Sequence, residues 1–252
     1  MKNYNLSAMA IAVFAFALML TSCQEDSFET LGSKGLIDES YTGNTNGSLS
    51  TSPVANLYGK PLKEWTKEWW HYTLGFDCAS SPLFQDVLLS TAAGKSGPIH
   101  CLVGAEDGKS VRYVDITKDK TLLVSVFNTI QSYPNPDANF KPAPGQSVEK
   151  FLKQEAASVI NQPSEKKAFL DGKPISITAS NRIATDVFTI KAEKELGECL
   201  ECVNGETQIA VSDGYYLVIK GLARGKHTLR IQAKVPQEEV SVDVTYNITV
   251  RG

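Results

Sequence analysis

The sequence predicts a mainly β fold: a single antiparallel β-sandwich or jelly-roll-like domain with two short helices. Three features of the 252-residue chain lead to this prediction. About ten short apolar or β-branched runs follow one another, as in sandwich and jelly-roll domains. Asn-Gly and Asp-Gly pairs, which favour turns, stand between many of these runs. Few segments repeat their apolar residues with a helical period.

The strand predictions rest on runs of alternating or continuous apolar residues. In the clearest run, Val240, Val244 and Val250 share one face with other apolar residues, and the intervening residues are polar. This alternation is typical of an antiparallel strand with one buried and one solvated face. The predicted strands are 98–105, 111–119, 122–128, 167–170, 175–179, 187–192, 208–211, 215–220, 228–235 and 241–250. Turns are predicted at Asp107-Gly108, Asp171-Gly172, Asn204-Gly205, Asp213-Gly214 and Arg224-Gly225.

Two helices are predicted from apolar residues that recur every three or four positions. The first begins at Pro61, which suits a first helical turn, and ends near Gly75. Its apolar face consists of Leu62, Trp65, Trp69 and Tyr72. Trp70 lies off that face, so we expect its ring to be exposed. The second helix is predicted over 147–161, with Ser147 as its N-cap.

A proline-rich segment, Tyr133–Gly145, interrupts the strand pattern. It carries four prolines in 13 residues, which remove backbone donors and fix φ. We therefore predict a semi-rigid loop. Long loops of this kind often carry function, and the alternative is a structural cover over one end of the sandwich.

The N-terminus has the organisation of an export signal. Lys2 supplies a positive charge, and the apolar run 8–20 has 13 residues, which is too short to cross a bilayer but suits a signal peptide. It ends in Leu20-Thr21-Ser22-Cys23, which resembles the lipobox of bacterial lipoproteins. This resemblance implies that Cys23 is acylated, with palmitate among its acyl chains, and that the signal is removed. Acyl chains on Cys23 would anchor the protein in a lipid bilayer.

The remaining sequence divides into a tether and a domain. We predict a signal peptide at 1–22, the lipidated cysteine and a disordered tether at 23–57, and the β-sandwich domain at 58–252. The acidic run after Cys23 resembles the surface-export signal of some Gram-negative lipoproteins, and a solvated linker is the alternative. The expected location is therefore the outer membrane, lipid-anchored, on the periplasmic face or at the cell surface.

Charge argues against nucleic acid as a partner. The formal net charge of the chain is −3, and it becomes −4 without residues 1–22, because Lys2 is their only charged residue. A negative chain without a basic field does not hold nucleic acid.

Four cysteines follow the tether in an oxidising compartment: Cys78, Cys101, Cys199 and Cys202. Four cysteines allow three pairings, which the sequence does not separate. We prefer Cys78–Cys101 with Cys199–Cys202. The second pair has the spacing of a redox motif, but it lies among turns and acidic residues rather than at a helix start, which favours a structural disulfide.

No cofactor or metal site is predicted. Gly-Lys-Ser occurs twice, but both copies lack the earlier glycine and the following helix of a phosphate-binding loop. The three histidines belong to no metal-ligating or catalytic motif. If folding brings His71 and His100 near Asp77 or Asp86, an acid–base or metal site would result, although a structural role is the simpler interpretation of each histidine.

Aromatic residues give the best indication of ligand binding. Trp70 and the loop residues Tyr133, Asp137 and Phe140 combine flat apolar rings with a carboxylate, a combination that suits sugar rings. The alternative is that these rings pack in the core.

The chain also resembles an uncharacterised family of secreted bacterial proteins. The resemblance covers residues 58–251 and is carried by Trp65-x3-Trp69-Trp70, Thr91-Ala-Ala-Gly-Lys-Ser-Gly-Pro98, Pro142-Ala-Pro-Gly-Gln-Ser147, Val211-Ser-Asp-Gly-Tyr215 and Gly225-Lys-His-Thr228. It implies a single domain and transfers no activity or catalytic residue.

Three functions therefore remain open. The leading hypothesis is a non-catalytic binding module for a glycan or a protein ligand. The second is a secreted hydrolase that uses His71 or His100 with a carboxylate such as Asp77 or Asp137. The third is a structural or assembly lipoprotein.

Overall fold

The computed structural model describes residues 51, 54–84, 97–106, 108–162, 164–236 and 240–252. Among these residues the helices are α1 (Leu62–Thr73) and α2 (Val148–Asn161), with short 3-10 turns at Ala179–Asn181 and Lys194–Glu198. The strands are β1 (Asn56–Leu57), β2 (Lys60–Pro61), β3 (Ile99–Leu102), β4 (Gly108–Thr117), β5 (Thr121–Tyr133), β6 (Glu165–Leu170), β7 (Lys173–Ile175), β8 (Arg182–Ala184), β9 (Phe188–Lys191), β10 (Thr207–Ile219), β11 (Gly225–Val235) and β12 (Val240–Arg251). The predicted mainly β fold with two short helices is confirmed.

The longer strands of the described chain form two five-stranded sheets. In sheet 1 the order is β3-β5-β10-β8, and β9 also pairs with β10. In sheet 2 the order is β4-β12-β11-β6-β7. Most neighbours are antiparallel, but β3 runs parallel to β5 and β4 runs parallel to β12. The short strands β1 and β2 pair only with each other.

The main core lies between the two sheets. Val124 and Leu217 of sheet 1 belong to the same buried cluster as Val114, Leu229 and Tyr246 of sheet 2. The alternation predicted for the last strand is observed, because apolar side chains of β12 face this core at every second position. The two sheets therefore stack face to face as a β-sandwich.

Helix α1 packs against the opposite face of sheet 1. Leu62 and Trp69 of the helix join Leu123 and Val218 of the sheet in a second buried cluster. The rings of Trp69 and Tyr216 meet edge to face, with centroids 6.1 Å apart. Sheet 1 is thus covered on both faces.

Helix α2 covers the part of the inner face of sheet 1 that holds Val211. Leu152 and Ala156 of the helix form a third cluster with this valine, and Tyr133 and Ile209 pack at its margin. Ser147 caps the helix as predicted, since its hydroxyl accepts a hydrogen bond of 3.3 Å from the backbone N–H of Lys150. None of the helices in the described residues is both long and apolar enough to cross a membrane.

One predicted turn is wrong. Asp213-Gly214 lies in the middle of β10, where Asp213 pairs with Thr129 of β5 and with Ala184 of β8. Arg182 donates hydrogen bonds to both oxygens of the Asp213 carboxylate, and these replace the hydrogen bonds that water would otherwise provide. Gly214 leaves room for the close side chain of Asn128, which a Cβ at this position would meet. The neighbouring strands therefore accommodate a dipeptide that alone favours a turn.

The preferred cysteine pairing is also wrong. Cys78 pairs with Cys199, with Cα atoms 6.0 Å apart, and this bond joins the segment after α1 to the segment after a 3-10 turn. Cys101 and Cys202 carry free thiols, and burial raises the pKa of each to about 12. Pairing depends on the distance between Cα atoms, which the packing of α1 against sheet 1 sets and sequence spacing does not.

Candidate functional site

The predicted exposed ring of Trp70 is buried, which corrects the expectation from the sequence. Its side chain is 4% exposed, and its indole N–H donates a 2.6 Å hydrogen bond to the hydroxyl of Ser212. Trp69 is 1% exposed and donates to the carbonyl of Leu102 at 3.0 Å. The sheet covers a wider arc of α1 than the predicted apolar face, and each indole N–H finds an acceptor there. Trp70 is therefore not a surface ring, although it and Trp69 line the wall of the cleft described below.

The proline-rich loop packs onto α2. Phe140 lies over Phe151 with ring centroids 4.7 Å apart, and Tyr133 joins the same cluster. Asp137 is exposed, and its carboxylate accepts a 2.8 Å hydrogen bond from the backbone N–H of Asn139 within the loop. Trp70 belongs to a different cluster, on the other face of sheet 1. The four predicted ligand-binding residues therefore do not meet in one place, and the loop acts as a cover at α2.

The histidines proposed for a hydrolase stand apart from carboxylates in the described chain. His71 is exposed and meets the ring of Phe188 edge to face. His100 is 2% exposed, and its Nε2 has no hydrogen-bond partner. Burial, with a smaller contribution from Lys120, lowers the pKa of His100 to about 4. Asp77 caps the backbone N–H of Ser80, and Asp86 lies outside the described residues.

His227 does meet a carboxylate, but both of its ring nitrogens are engaged. Nδ1 lies 2.7 Å from Asp171 and Nε2 lies 3.0 Å from the carbonyl of Ala223. Burial lowers the pKa of His227, but the hydrogen bonds to Asp171 and Ala223 outweigh it, so the net shift is upward. Asp171 also accepts from the backbone N–H of Thr228. The pair ties the β6–β7 turn to the start of β11.

Metal ligands do not cluster in the described residues: no group of three or more His, Cys, Asp or Glu side chains could hold an ion there.

A cleft of about 300 Å³ opens beside the free edge of β5, where β3 ends opposite Val124. Val126 and Phe127 of β5 line it together with Val242 of β12 and Val159 of α2. Ser125, Asn128 and Thr129 are among its polar residues. A cleft of this size and lining suits a small apolar group.

The outer face of sheet 2 points away from the core and is open to solvent. It consists of Lys109, Val111, Tyr113, Asp115 and Thr117 on β4; Ser241, Asp243, Thr245, Asn247, Thr249 and Arg251 on β12; Lys226, Thr228, Arg230, Gln232 and Lys234 on β11; and Glu165, Lys167 and Phe169 on β6. Tyr113 is 60% exposed and Val111 is 51% exposed, the highest values among the large hydrophobic side chains of the described residues. Two positions apart on β4, they form a short apolar strip.

Polar side chains continue each row across the outer face. Tyr113 is in register with Asn247 of β12, and Asn247 is in register with Thr228 of β11. Val111 is in register with Thr245, which lies opposite Arg230. Neighbouring strands are about 4.8 Å apart, so the Thr245 hydroxyl and the Asn247 amide on β12 lie next to the apolar strip, and Arg230 and Thr228 on β11 lie one strand further away.

An ion pair orders the centre of the outer face. Arg230 donates two hydrogen bonds to Asp243, at 2.8 and 2.6 Å, and Gln232 donates a third at 3.2 Å. The hydrogen bond from Arg230 is the main cause that lowers the pKa of Asp243. Asp243 is therefore a fixed carboxylate rather than a free one.

A groove of about 410 Å³ runs along one end of the outer face. Three lysines (Lys109, Lys167 and Lys234) line it, together with Gln232 and the two carboxylates of Glu165 and Asp243. Lys167 lies 3.3 Å from Glu165, whereas neither Lys109 nor Lys234 has an ion-pair partner among the described residues. Within the described residues these two lysines therefore form no ion pair, although Lys109 helps to lower the pKa of the nearby Asp243 carboxyl.

Reasoning from the sequence missed Tyr113 and Val111, because it predicted a strand at 111–119 but not which of its side chains point to the core. The run Ser110–Val114 alternates in a way that suggests Val111 and Tyr113 point inward. Instead, Arg112 is 1% exposed and donates hydrogen bonds to Val103 and Ser110. A strand shifted by one residue presents its other face, and here Arg112 points inward with the buried Val114 and Ile116.

Comparisons with known proteins do not assign a family. No protein-family model matches the chain, and no curated protein matches it. Among solved structures, the cysteine protease inhibitor EhICP2 from Entamoeba histolytica matches with 14% identity and a TM-score of 0.21. The match covers 61% of this chain and 96% of the inhibitor. A TM-score this low carries no weight for fold or function.

Proposed function

We propose that the chain is an outer-membrane lipoprotein, moored by acyl chains on Cys23, whose β-sandwich domain is a non-catalytic glycan-binding module. The binding surface is the outer face of sheet 2, with the ring of Tyr113 as its stacking platform.

The proposed location of the protein follows from its N-terminal sequence. A positive residue, a short apolar run and small residues before Cys23 are together typical of an exported lipoprotein. The tether that follows would hold the domain away from the lipid headgroups. The predicted tether extends to residue 57, but Asn56–Leu57 form β1 and Leu57 is buried, so the tether ends earlier. A flexible segment of about 30 residues would still reach about 30 Å. The domain would then meet ligands on the periplasmic face or at the cell surface.

The exposure of Tyr113 is the observation that carries the binding proposal. A ring that is 60% exposed on a regular strand contributes little to the core, because most of its surface remains in water. Beside it, Asn247 and Thr228 present side-chain donors and acceptors at strand spacing. A flat ring with hydroxyl and amide groups at its side is the combination that binds sugars, since it joins apolar contact to placed hydrogen bonds.

A sugar suits this face better than a protein partner does. Specific protein interfaces bury about 800 Å² on each partner around a core depleted in charge. Here the apolar strip consists of Tyr113 and Val111, and ion pairs such as Arg230–Asp243 stand directly beside it. The strip matches a ligand of a few rings rather than a folded domain.

No specific observation favours the hydrolase or the structural lipoprotein. In the described residues, His71 and His100 lack a carboxylate within hydrogen-bond distance, which is the geometry that a general base requires.

Binding of the full-length mature lipoprotein in detergent to a broad glycan array tests the proposal. We expect a ligand whose affinity falls about tenfold in Tyr113→Ala, the equivalent of about 1.4 kcal/mol. Tyr113→Phe keeps the ring and should stay within about twofold of the wild type. Absence of binding across the array, or equal binding by Tyr113→Ala, would contradict the proposal.

A further inference from the structure

Building on the proposed glycan-binding function, we infer that the ligand is an acidic polysaccharide whose carboxylate groups bind in the groove lined by Lys109 and Lys234 while a sugar further along the same polymer stacks on Tyr113.

The charge of the outer face differs in sign from that of the chain. The face carries six cationic side chains, on Lys109, Lys167, Lys226, Arg230, Lys234 and Arg251, and three anionic ones, on Asp115, Glu165 and Asp243. It is therefore positive by three charges on a chain whose formal net charge is −3. This local excess is complementary to an anionic ligand.

The anionic residues of the face are already occupied. Asp243 is held by Arg230, Asp115 accepts a 2.9 Å hydrogen bond from Arg251, and Glu165 lies 3.3 Å from Lys167. Within the described chain, Lys109 and Lys234 are left without ion-pair partners. Lys226, at the far end of the face, also forms no ion pair in the described residues, so two of the three remaining cationic side chains lie in the groove.

The groove and the ring lie on the same line. Lys109, Val111 and Tyr113 follow one another on the outer side of β4, so the groove is about 13 Å from the ring at a rise of about 3.3 Å per residue. Beyond the ring, Lys226 places further positive charge at the other end of the face, where Arg251 is paired with Asp115. A linear polymer with charges at intervals can contact the ring and both cationic ends together.

The negative net charge of the chain favours polyanions of low charge density over densely charged ones. A chain with negative net charge repels a densely charged polymer at long range, so binding depends on the local groove. A polysaccharide with single carboxylates, separated by sugar rings that can stack, matches isolated lysines next to one tyrosine. Nucleic acid, sulfated glycans and anionic membranes carry denser charge.

Polygalacturonate and the same polymer after reduction of its carboxyl groups form a matched ligand pair for the test. Affinities are measured with the full-length lipoprotein in detergent. The double variant Lys109→Gln/Lys234→Gln is compared with Lys141→Gln/Lys150→Gln, which removes two exposed lysines away from the outer face. We expect the groove variant to lose about tenfold in affinity for polygalacturonate, with a weaker salt dependence, and the control to stay within about twofold.

The outcomes separate the two proposals. If Tyr113→Ala weakens binding to a neutral glycan but the groove variant binds polygalacturonate as the wild type does, the acidic ligand is wrong and glycan binding stands. If the reduced polymer binds as tightly as polygalacturonate, the carboxylate has no role and the inference fails. Tighter binding to dextran sulfate, DNA or anionic vesicles that both double variants weaken equally would show non-specific charge attraction and overturn it. If no glycan binds, both proposals fail.

Discussion

Arg182 on β8 holds the buried carboxylate of Asp213 on β10 with two parallel hydrogen bonds, at 2.9 Å from Nε and 2.6 Å from Nη2. The Asp213 side chain is 4% exposed. The remaining Arg182 nitrogen, Nη1, donates at 2.7 Å to Asn161 at the end of α2. One side chain thus ties the edge of sheet 1, its central strand and a helix together.

Removing this guanidinium should destabilise the fold. Arg182→Met leaves a buried carboxylate without its partner, and we expect the free energy of unfolding to fall by about 3 kcal/mol. Urea denaturation measures the change. Lys153→Met is the control, because Lys153 and Glu149 form an exposed pair whose loss should cost about 0.5 kcal/mol or less. Equal losses in the two variants would contradict the role assigned to Arg182.

Substitution of Trp70 should lower the free energy of unfolding, whereas substitution of Tyr113 should leave it nearly unchanged. Trp70→Ala removes a buried ring and is expected to lower the free energy of unfolding by about 3–5 kcal/mol. Tyr113→Ala removes a ring exposed to water and should change it by about 0.5 kcal/mol or less. Chemical denaturation of both variants checks this. A large loss in Tyr113→Ala would mean that the ring packs rather than binds.

Stability should fall in mild acid because of His100. Its folded pKa, lowered to about 4 by burial and by Lys120, lies below the value of 6.5 for an unperturbed histidine. The unfolded chain therefore takes up a proton first as the pH falls, and the contribution present above pH 6.5 is lost toward pH 4.

The size of this effect follows from the two pKa values. From pH 7.5 to pH 5 the loss attributable to His100 is about 2 kcal/mol. His100→Leu should show a flatter dependence of unfolding free energy on pH, whatever its stability at neutral pH. Parallel curves for the variant and the wild type would disprove the assignment.

The pairing of Cys78 with Cys199 can be checked by peptide mapping. Peptide mapping without reduction should recover Cys78 joined to Cys199, with Cys101 and Cys202 alkylated only after denaturation, because both free thiols are largely buried. The bond closes a separation of 121 residues. We expect Cys78→Ser/Cys199→Ser to lose about 2–5 kcal/mol of stability. Recovery of a Cys199–Cys202 peptide would refute the pairing.

Membrane anchoring should depend on one thiol. Intact-mass analysis of the mature protein should show a chain that begins at Cys23 and carries acyl chains, and Cys23→Ala should lose both the added mass and the membrane fraction. A mature protein without acyl chains would contradict the proposed anchoring in the outer membrane.

Much of the fold was predictable because it depends on local patterns. Helices α1 and α2 were located from apolar residues at helical spacing and from the cap at Ser147. The alternation in β12 indicated its buried face. Short strands were harder to predict from the sequence: β8 has three residues, and it pairs with β10, which is far away along the chain. Such a strand carries too few residues to show a period.

The candidate site was much less predictable than the fold. The sequence placed a ring for ligand binding at Trp70, and tertiary packing buried that ring against Ser212. It gave no reason to single out Tyr113, whose exposure follows from the register of β4 and from the buried Arg112. Exposure depends on which face of a strand meets a neighbour, and a period of two does not say which face that is.

The sequence by itself determined the class of fold and the two helices, because each depends on residues close together along the chain; export and lipid anchoring stay predictions from the sequence. Only the tertiary structure decided which cysteines pair, which aromatic rings remain in water and which lysines share a groove. Those properties depend on distances between residues far apart in sequence, and such distances exist only once the sheets have paired and packed.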